Sequence, residues 1–380
     1  MKSDAVIDER ALAEWLLDLL RLDSPPLREA AVWRRCAEFL RGLGFDVWDD
    51  GAGARIGGAC GNLMAVRRGV PDRPAVLLSG HLDTVEDCAG AQPYVDAEGV
   101  IRNRLPRPLG ADDKAGVTAI LFGIAGAVRG GNPHGDLWVV LTVAEERGLL
   151  GSRHLRRDAI RAEVGLALDG DGPLGTVVTQ GPALARWRVS FRPRGESSDA
   201  PALRRVAMAA ASRVTGATAG QGLRVRVTAI SPDAEAGTGG LVLRGEVSAA
   251  FRRDAVRAWM EAFGPLEAAA RALDFRWTAS VSWLSHGFAL PEDHPAVVRA
   301  EAALRAAGVR PTRVAADGAS DADVLCHLGI PTVNIGIGCV DSHRPGEHIR
   351  IADVAAAARA VAAFVHEVTP DSAGPANDPS

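Results

Sequence analysis

The sequence predicts an α/β protein whose mostly parallel sheet is covered by helices on both faces and interrupted by a smaller α+β segment. Continuously apolar runs, such as AVLLS at 75–79 and LWVVL at 137–141, alternate with helical patterns, which is typical of buried parallel strands. From about residue 182 the order becomes strand-helix-strand-strand-helix-strand, and the alternation resumes near residue 286. A length of 380 residues also favours two domains over one.

Hydrophobic spacing assigns the elements on both sides of the interruption. Apolar residues that recur every three or four positions predict helices, whereas short apolar runs between polar residues predict strands. Before residue 182, helices are predicted at 8–22, 26–43, 113–129 and 152–161, and strands at 62–67, 75–79, 136–142 and 164–168. After residue 286, helices are predicted at 294–307, 321–328 and 351–368, and strands at 312–315 and 331–335.

The interrupting segment contains alternating apolar and polar residues, which is typical of a sheet with one exposed face. Its strands are predicted at 183–191, 223–230, 241–249 and 275–284, and its helices at 200–214 and 254–273. We therefore expect a larger domain formed by 1–182 and 286–368, an inserted α+β domain at 183–285, and a disordered polar tail at 369–380.

Composition excludes several classes of protein. The net charge of -4 gives no large basic face, so nucleic acid is not an expected partner. No run of 18 apolar residues predicts a membrane span, and the N-terminus lacks the pattern of a signal peptide. The five cysteines are scattered and form no Cys-x-x-Cys motif, which favours a reducing compartment over a disulfide framework or a thiolate zinc site. We expect a cytoplasmic protein.

Two histidines and several carboxylates follow apolar runs in five short segments. These are GHLDT at 80–84, GADDKAG at 110–116, AEERG at 144–148, LDGD at 168–171 and DSHRP at 341–345. Ligands of parallel sheets bind beyond the carboxyl ends of the strands, which is where several of these segments are predicted. Imidazole and carboxylate groups are the ligands that a pair of divalent metals requires, so the sequence predicts such a site.

Each segment also has a simpler interpretation. His81 is either a metal ligand, with Asp83 accepting a hydrogen bond from its other ring nitrogen, or a structural histidine. Asp112 either caps a helix or binds metal. Asp169 competes with Asp171 as a ligand, and a glycine-rich turn is the alternative for both.

Glu145 and Glu146 form the more specific signal. Adjacent carboxylates repel one another, and burying both requires compensating cations. One of them can bind metal while the other handles a proton. The alternative is an exposed turn that Arg147 stabilises. His343 is either a further ligand or a surface histidine.

Taken in order, the motifs resemble those of the M20 family of metallopeptidases, particularly its peptidase-T-like branch, over nearly the whole chain. The resemblance rests on Gly-His-x-Asp-Thr, Ala-Asp-Asp-Lys-Ala-Gly, Glu-Glu-x-Gly-x-x-Gly-Ser, Leu-Asp-x-Asp-Gly-Pro-x-Gly and the closing His-x-Pro-x-Glu at 343–347. It implies a zinc-hydrolase type of sheet, an inserted lid that often forms a homodimer, and hydrolysis of a small peptide or an N-acyl amino acid.

The resemblance also implies roles for individual residues. One zinc ion would be bound by His81, Asp112 and Asp169, and a second by Asp112, Glu146 and His343, with cobalt or manganese as alternative metals. Glu145 would be the general base, and Asp83 would orient His81.

The inserted domain departs from the family pattern. Asp199 stands where the family carries a lid histidine, the segment 237–241 (GTGGL) lacks the usual asparagine, and Ser248 replaces the usual arginine. We expect Asp199, and Asp321 of the late Ser-Asp-Ala motif, to contact substrate. The departures keep two alternatives open. The first is a relative without efficient hydrolysis that binds a metabolite or partner or performs another acyl chemistry. The second is an ordinary α/β binding protein whose acidic residues at strand ends serve only as caps.

Overall fold

The computed structural model describes residues 7–195, 199–217, 223–233 and 240–366, and at 210–217 it describes the backbone alone. These residues form two compact units. The larger unit lies within Met1–Thr179, Leu290–Ala316 and Ser320–Ser380, and the inserted unit within Gln180–Ala289 and Asp317–Ala319. The sequence predicted an insertion at 183–285. The predicted tail at 369–380 lies outside the described residues.

Helices and strands are numbered along the chain. The helices are α1 (Glu9–Leu20), α2 (Ala30–Gly42), α3 (Ala52–Ile56), α4 (Ala111–Arg129), α5 (Ala200–Ala217), α6 (Arg252–Ala272), α7 (Pro295–Ala306), α8 (Asp321–His327) and α9 (Ile351–His366). The strands are β1 (Asp46–Asp49), β2 (Leu63–Arg67), β3 (Val76–His81), β4 (Pro93–Val95), β5 (Val100–Asn103), β6 (Leu137–Thr142), β7 (Val164–Gly170), β8 (Thr176–Pro193), β9 (Arg224–Pro232), β10 (Leu241–Ala249), β11 (Phe275–Ala289), β12 (Thr312–Ala315), β13 (Thr332–Gly336) and β14 (His348–Arg350).

The main sheet of the larger unit has the order β1-β2-β6-β3-β7-β13. Strand β3 pairs in parallel with β6 and β7, and β7 pairs in parallel with β13. Strands β1 and β2 form an antiparallel edge. Because β3 and β6 are buried along their whole length, both faces of the sheet are covered. The predicted α/β class with a mostly parallel sheet is confirmed.

The side chains of β6 alternate between two apolar layers. Leu137, Val139 and Leu141 join the core that contains α1, α4 and α9, whereas Trp138 and Val140 join a second cluster that includes part of α8. Successive side chains of a strand point to opposite faces, so a continuous apolar run supplies both layers. Each such side chain stabilises the fold by about 1.5–3 kcal/mol when it is fully buried.

Helices α4 and α9 are in close contact across one face of this sheet. A Cβ atom at Gly123 would lie 2.5 Å from the carbonyl oxygen of Ala358 and 2.5 Å from the Cβ of Val361. Glycine therefore permits the approach, and any larger residue would push the helices apart. The contact matters for function because α4 carries Asp112 in its first turn.

One predicted helix is wrong. Residues 152–161 form two 3₁₀ turns, Ser152–His154 and Arg157–Ala159, joined by extended backbone. The buried side chains of this segment, Leu155 and Ile160, are five residues apart. That spacing places them on different sides of a helix, so an irregular path buries both more effectively.

A small second sheet was not predicted from the sequence. It has the order β14-β5-β4, and its strands of three or four residues are too short for hydrophobic periodicity. His348 of β14 pairs with Arg102 of β5 and forms an isolated bridge with Val340. The two ends of the loop 341–347, which carries His343, are thereby fixed.

The inserted unit contains an antiparallel sheet in the order β9-β10-β8-β11. One face packs against α5 and α6, where the rings of Trp187 and Phe263 are 4.5 Å apart. Gly245 lies beneath Trp187, because a Cβ there would come 2.1 Å from the indole. The opposite face carries charged residues such as Arg186, whose guanidinium lies 3.5 Å from Glu246. Among the described residues, no helix is long and apolar enough to cross a membrane.

Candidate metal centre

Most of the predicted ligands lie at or just beyond the carboxyl ends of adjacent strands in the larger unit. His81 is the last residue of β3, Asp169 is the penultimate residue of β7, and Glu146 follows four residues after β6 ends. These three strands are parallel neighbours, so their carboxyl ends meet at the same edge. Asp112 joins them from the first turn of α4, and His343 from the loop after β13.

Two groups of ligands form around a shared carboxylate. Nε2 of His81 lies 3.2 Å from Oδ1 of Asp112 and 3.5 Å from Oδ1 of Asp169. Nε2 of His343 lies 3.2 Å from Oδ2 of Asp112 and 2.5 Å from Oε1 of Glu146. Within each group the ligand atoms all lie within 4.8 Å of one another. Asp112 belongs to both groups and turns a different oxygen toward each.

The other ring nitrogen of His81 has a partner of its own. Nδ1 lies 2.9 Å from the backbone carbonyl oxygen of Asp83, which can only accept, so Nδ1 carries a hydrogen. This contact fixes the ring and leaves the lone pair of Nε2 for a ligand position in the neutral imidazole. The sequence predicted that the carboxylate of Asp83 would take this role, but its Oδ1 is farther away, at 3.5 Å from Nδ1.

The Asp83 carboxylate instead accepts hydrogen bonds from the backbone of the two adjacent glutamates that the sequence singled out. The N–H of Glu145 donates to Oδ1 of Asp83 at 3.0 Å, and the N–H of Glu146 donates to Oδ2 at 3.1 Å. Asp83 is fully buried. It connects the segment of His81 to the segment of the two glutamates.

The backbone around Asp112 is held by a second buried carboxylate. The N–H groups of Ala111 and Asp112 donate to Oε1 of Glu347 at 2.6 and 3.2 Å, and the N–H of Leu109 donates to Oε2 at 3.1 Å. The Asp112–Asp113 peptide bond is cis. Glu347 lies in the same loop as His343, so that loop is tied to the first turn of α4.

The two histidines have raised pKa values because carboxylates surround them. Hydrogen bonds that His343 donates to Asp112 and Glu146 raise its pKa to about 10. Burial opposes protonation of His81, but the charge of Asp169 and hydrogen bonds that the ring donates to neighbouring carboxylates raise its pKa well above the usual value. The raised pKa values show that the surrounding carboxylates favour positive charge at both positions.

The pKa values of the carboxylates are shifted in opposite directions. Burial opposes ionisation of Asp112, but its hydrogen bonds to His343 and His81 outweigh that effect and lower its pKa. Burial raises the pKa of Asp169 to about 7. Burial, followed by the charge of Asp169, raises the pKa of Glu145 well above its usual value.

The donor set fits two divalent metals. Each group offers one imidazole and two carboxylates, and the shared Asp112 can bridge two ions through its separate oxygens. Divalent cations would compensate buried carboxylates that otherwise rely on protonated histidines. Nitrogen and oxygen ligands without thiolate suit zinc, cobalt or manganese.

Asp171 and Asp199, which the sequence also marked as candidates, lie outside the two ligand groups. Asp171 is exposed and lies outside both ligand groups, so the geometry favours Asp169 of the two. Asp199 caps α5, accepting from the N–H of Ala202 at 2.8 Å, which supports a capping role. Its neighbours at 196–198 and the segment 234–239 lie outside the described residues.

Asp321 is buried at the end of a neighbouring strand. Its side chain is 3% exposed and accepts a hydrogen bond from the hydroxyl of Thr142, the last residue of β6. Burial raises its pKa. The carboxylate thus supports the end of β6, and its contact with substrate stays a prediction from the sequence.

Sequence reasoning overlooked two buried polar residues beside the site. Oδ1 of Asn62 accepts from the N–H of Val143, and Oε1 of Glu29 accepts from the N–H of Ala144. Both hold the backbone just before Glu145. Neither residue lies in a recognisable motif, so no local pattern marked them.

Comparisons with known proteins show which family and which relatives this chain is similar to. A model of the family described as Peptidase family M20/M25/M40 matches residues 77–367. The uncharacterized protein YqjE of Bacillus subtilis (strain 168) is 30% identical over 370 residues, which cover 95% of this chain and 99% of that protein.

Solved structures give the same result. The aminopeptidase PepT from Bacillus cereus ATCC 10987 has a TM-score of 0.83 at 25% identity, covering 95% of this chain and 99% of that chain. A tripeptidase from Staphylococcus aureus subsp. aureus mu50 has a TM-score of 0.86 at 24% identity, covering 95% and 98% of the two chains, and supports the fold.

Proposed function

The chain belongs to peptidase family M20/M25/M40, a hydrolase family that acts on peptide C–N bonds, and from this premise we propose a di-zinc enzyme that cleaves short peptides or N-acyl amino acids. The resemblance noted in the sequence is thereby confirmed at the level of the family. The metallopeptidase class follows from the family; the number and identity of the metals and the choice of substrate are the proposal.

One observation carries the two-metal proposal. The oxygens of Asp112 face two different histidines, Oδ1 toward His81 and Oδ2 toward His343, at 3.2 Å each. A carboxylate that serves a single ion has no need of a second imidazole on its other oxygen. We assign His81, Asp112 and Asp169 to one zinc ion, and Asp112, Glu146 and His343 to the other.

Zinc held by these residues would supply Lewis acidity, which lowers the pKa of a bound water and stabilises negative charge on the carbonyl oxygen of the substrate. The protein supplies the proton transfer. Glu145 is adjacent to the proposed ligand Glu146, and burial raises its pKa above the usual value, which increases the basicity of the carboxylate. We propose that Glu145 accepts the proton of the attacking water and delivers it to the leaving amine.

The proposed substrate class rests on the family and on the relatives. PepT of Bacillus cereus is named as an aminopeptidase, and this chain is 25% identical to it over nearly its whole length. Short peptides are therefore the first substrates to test. N-acyl amino acids present the same amide bond and follow next.

A panel of di- and tripeptides and N-acetyl amino acids tests the proposal on zinc-loaded protein. We expect hydrolysis of at least one member, loss of it on chelation, and its return with zinc. Glu145→Gln should lower kcat by about 10²- to 10⁴-fold, because it removes the proton acceptor, while zinc content stays unchanged. A Glu145→Gln variant as active as the wild type would refute the assigned base.

A second function, ligand binding without efficient hydrolysis, is favoured by the departures from the family pattern at Asp199 and Ser248. It predicts that no panel member is cleaved while zinc-dependent binding of a panel member survives the Glu145→Gln substitution. Calorimetry on both proteins therefore separates the two functions.

We also propose that the chain is cytoplasmic and forms a homodimer through the inserted unit. All five cysteines are free thiols, which suits a reducing compartment. Met208 of α5 and Met260 of α6 are 55% and 63% exposed, and such apolar side chains suit an interface. Light scattering of the wild type and a Met260→Ser variant tests the dimer, and fractionation of cells tests the compartment.

A further inference from the structure

Four consecutive backbone N–H groups just after β6 each donate to a buried side chain. Val143 donates to Oδ1 of Asn62 at 3.1 Å, Ala144 to Oε1 of Glu29 at 3.0 Å, and Glu145 and Glu146 to the two oxygens of Asp83 at 3.0 and 3.1 Å. All three acceptor residues are 0% exposed. They come from three separate segments of the chain, so this arrangement fixes the backbone of residues 143–146 from several sides.

Glu29 accepts a second backbone hydrogen bond, so its carboxylate connects two segments of the chain. Its Oε1 also accepts from the N–H of Leu27 at 2.7 Å. Leu27 has φ 74° and Ala144 has φ 52°, so both donors are non-glycine residues with left-handed backbone. Such conformations are costly for L-residues and persist where the surroundings over-determine them. One carboxylate oxygen therefore holds two strained residues from distant segments.

Asn62 is itself fixed on its other side. Its Nδ2 donates to Oδ2 of Asp50 at 2.7 Å and to the carbonyl oxygen of Gly151 at 2.9 Å. The N–H of Gly151 in turn donates to the carbonyl oxygen of Val143 at 2.9 Å. The acceptor of the Val143 N–H is thus rigid and not a mobile side chain.

The position of this arrangement has a consequence for the reaction. Ala144 directly precedes Glu145, so its backbone angles set the direction of the Glu145 side chain. A proton acceptor works only within hydrogen-bond reach of the attacking water, and a displacement of about 1 Å can cost about 10²-fold in rate.

We propose that Glu29 and Asn62 are positioning residues for hydrolysis: by accepting the N–H groups of Ala144 and Val143 they hold Glu145 in its working orientation. The inference rests on the proposed role of Glu145. The competing interpretation is that the two side chains only satisfy buried backbone groups and stabilise the fold.

The second carboxylate oxygen of Glu29 makes Glu29→Gln a suitable conservative substitution. Among the described residues, Oε2 has no hydrogen-bond partner, whereas Oε1 accepts both N–H groups. Burial raises the pKa of Glu29 to about 7, so a neutral side chain is tolerated there. Glu29→Gln can place its carbonyl oxygen at Oε1 and keep both hydrogen bonds, whereas Glu29→Ala removes the acceptor.

The test compares Glu29→Ala, Asn62→Ala and Glu29→Gln with a control, Glu301→Ala. Glu301 is also a buried carboxylate, but its hydrogen bonds go to Arg305 and Arg313. Two quantities are measured: amide hydrogen exchange of the segment 143–146 with and without zinc, and kcat and KM on the best peptide of the wild type.

We expect both alanine variants to exchange this segment roughly tenfold faster, as for one lost buried hydrogen bond. Their kcat should fall by about 10²-fold with KM and zinc content unchanged. Glu29→Gln should resemble the wild type in both measurements, and Glu301→Ala should change neither the local exchange nor kcat.

Unchanged exchange in Asn62→Ala and Glu29→Ala would overturn the inference, and so would faster exchange with an unchanged kcat. A Glu29→Gln variant as impaired as Glu29→Ala would also overturn it, because charge and not the acceptor would then matter. If Glu29→Ala fails to fold, the Asn62→Ala and Glu29→Gln variants still test whether these side chains position Glu145. A wild type that cleaves nothing refutes the proposed function instead, and the exchange measurement alone then tests the hydrogen bonding.

Discussion

The two ligand groups share Asp112 but differ in how the protein holds their histidines. The side chain of His81 is 2% exposed and ends a central strand, and its Nδ1 is fixed by the carbonyl of Asp83. The side chain of His343 is 44% exposed and lies in a loop at φ 65°. A strand end thus preorganises the histidine of one half of the site, His81–Asp112–Asp169. A loop holds the histidine of the other half, Asp112–Glu146–His343.

This difference bears on metal affinity. A ligand that is already oriented loses little conformational freedom on binding, whereas a loop residue must be ordered. Exposure to water also weakens electrostatic attraction at the open half. We therefore expect the zinc ion at His81, Asp112 and Asp169 to be retained more tightly than the ion at Glu146 and His343.

The largest effect should come from the residue that both halves share. Asp112→Ala removes a ligand from each group, so we expect both zinc ions and all hydrolysis to be lost. Zinc content by elemental analysis after dialysis measures this, and Asp113→Asn serves as a matched neighbour outside both ligand groups. An Asp112→Ala protein that keeps one tightly bound ion would show that the halves are independent.

The two histidines should give unequal losses. Chelation of His343→Ala should release a single weakly held ion while the strand-end ion remains, whereas His81→Ala should lose the tight ion and leave only the weaker site. The stabilisation by zinc grows with the logarithm of its affinity and reaches about 4 kcal/mol at a concentration 1,000 times Kd, so His81→Ala should lose more of the zinc-induced rise in Tm. Thermal unfolding at several zinc concentrations measures this.

Equal zinc affinity in the two histidine variants would contradict the comparison. Tighter retention in His81→Ala than in His343→Ala would reverse it. Each variant needs its metal-free Tm as the reference, because removing a buried histidine also affects the fold itself.

The same contrast explains how much the sequence could predict. His81 and Asp169 close apolar strands, so the rule for parallel sheets predicted where they lie. His343 follows β13 by several residues, so the rule for strand ends did not place it, and the residues alone left it as either a ligand or a surface histidine. The loop is fixed by β14 and β5, whose few residues leave no periodic signal.

The supporting residues were beyond prediction for a different reason. Glu29 accepts from Ala144 across 115 positions, and Asn62 accepts from Val143 across 81. A side chain that binds a distant backbone N–H leaves no spacing rule, since any polar residue that the fold brings close can do so. Asp321 illustrates the converse, because it lies in a recognisable motif, yet the motif did not predict the hydrogen bond that its carboxylate accepts from Thr142.

The smallest effect is expected at Asp171, two residues beyond the ligand Asp169. Asp171 is exposed and outside both ligand groups, so Asp171→Asn should leave zinc content unchanged and alter the free energy of unfolding by no more than about 0.5 kcal/mol. Asp169→Asn is the matched variant, and it should release the tightly held ion because that amide is a poorer ligand than the carboxylate. A loss of zinc in Asp171→Asn alone would mean that the strand-end half is assigned to the wrong aspartate.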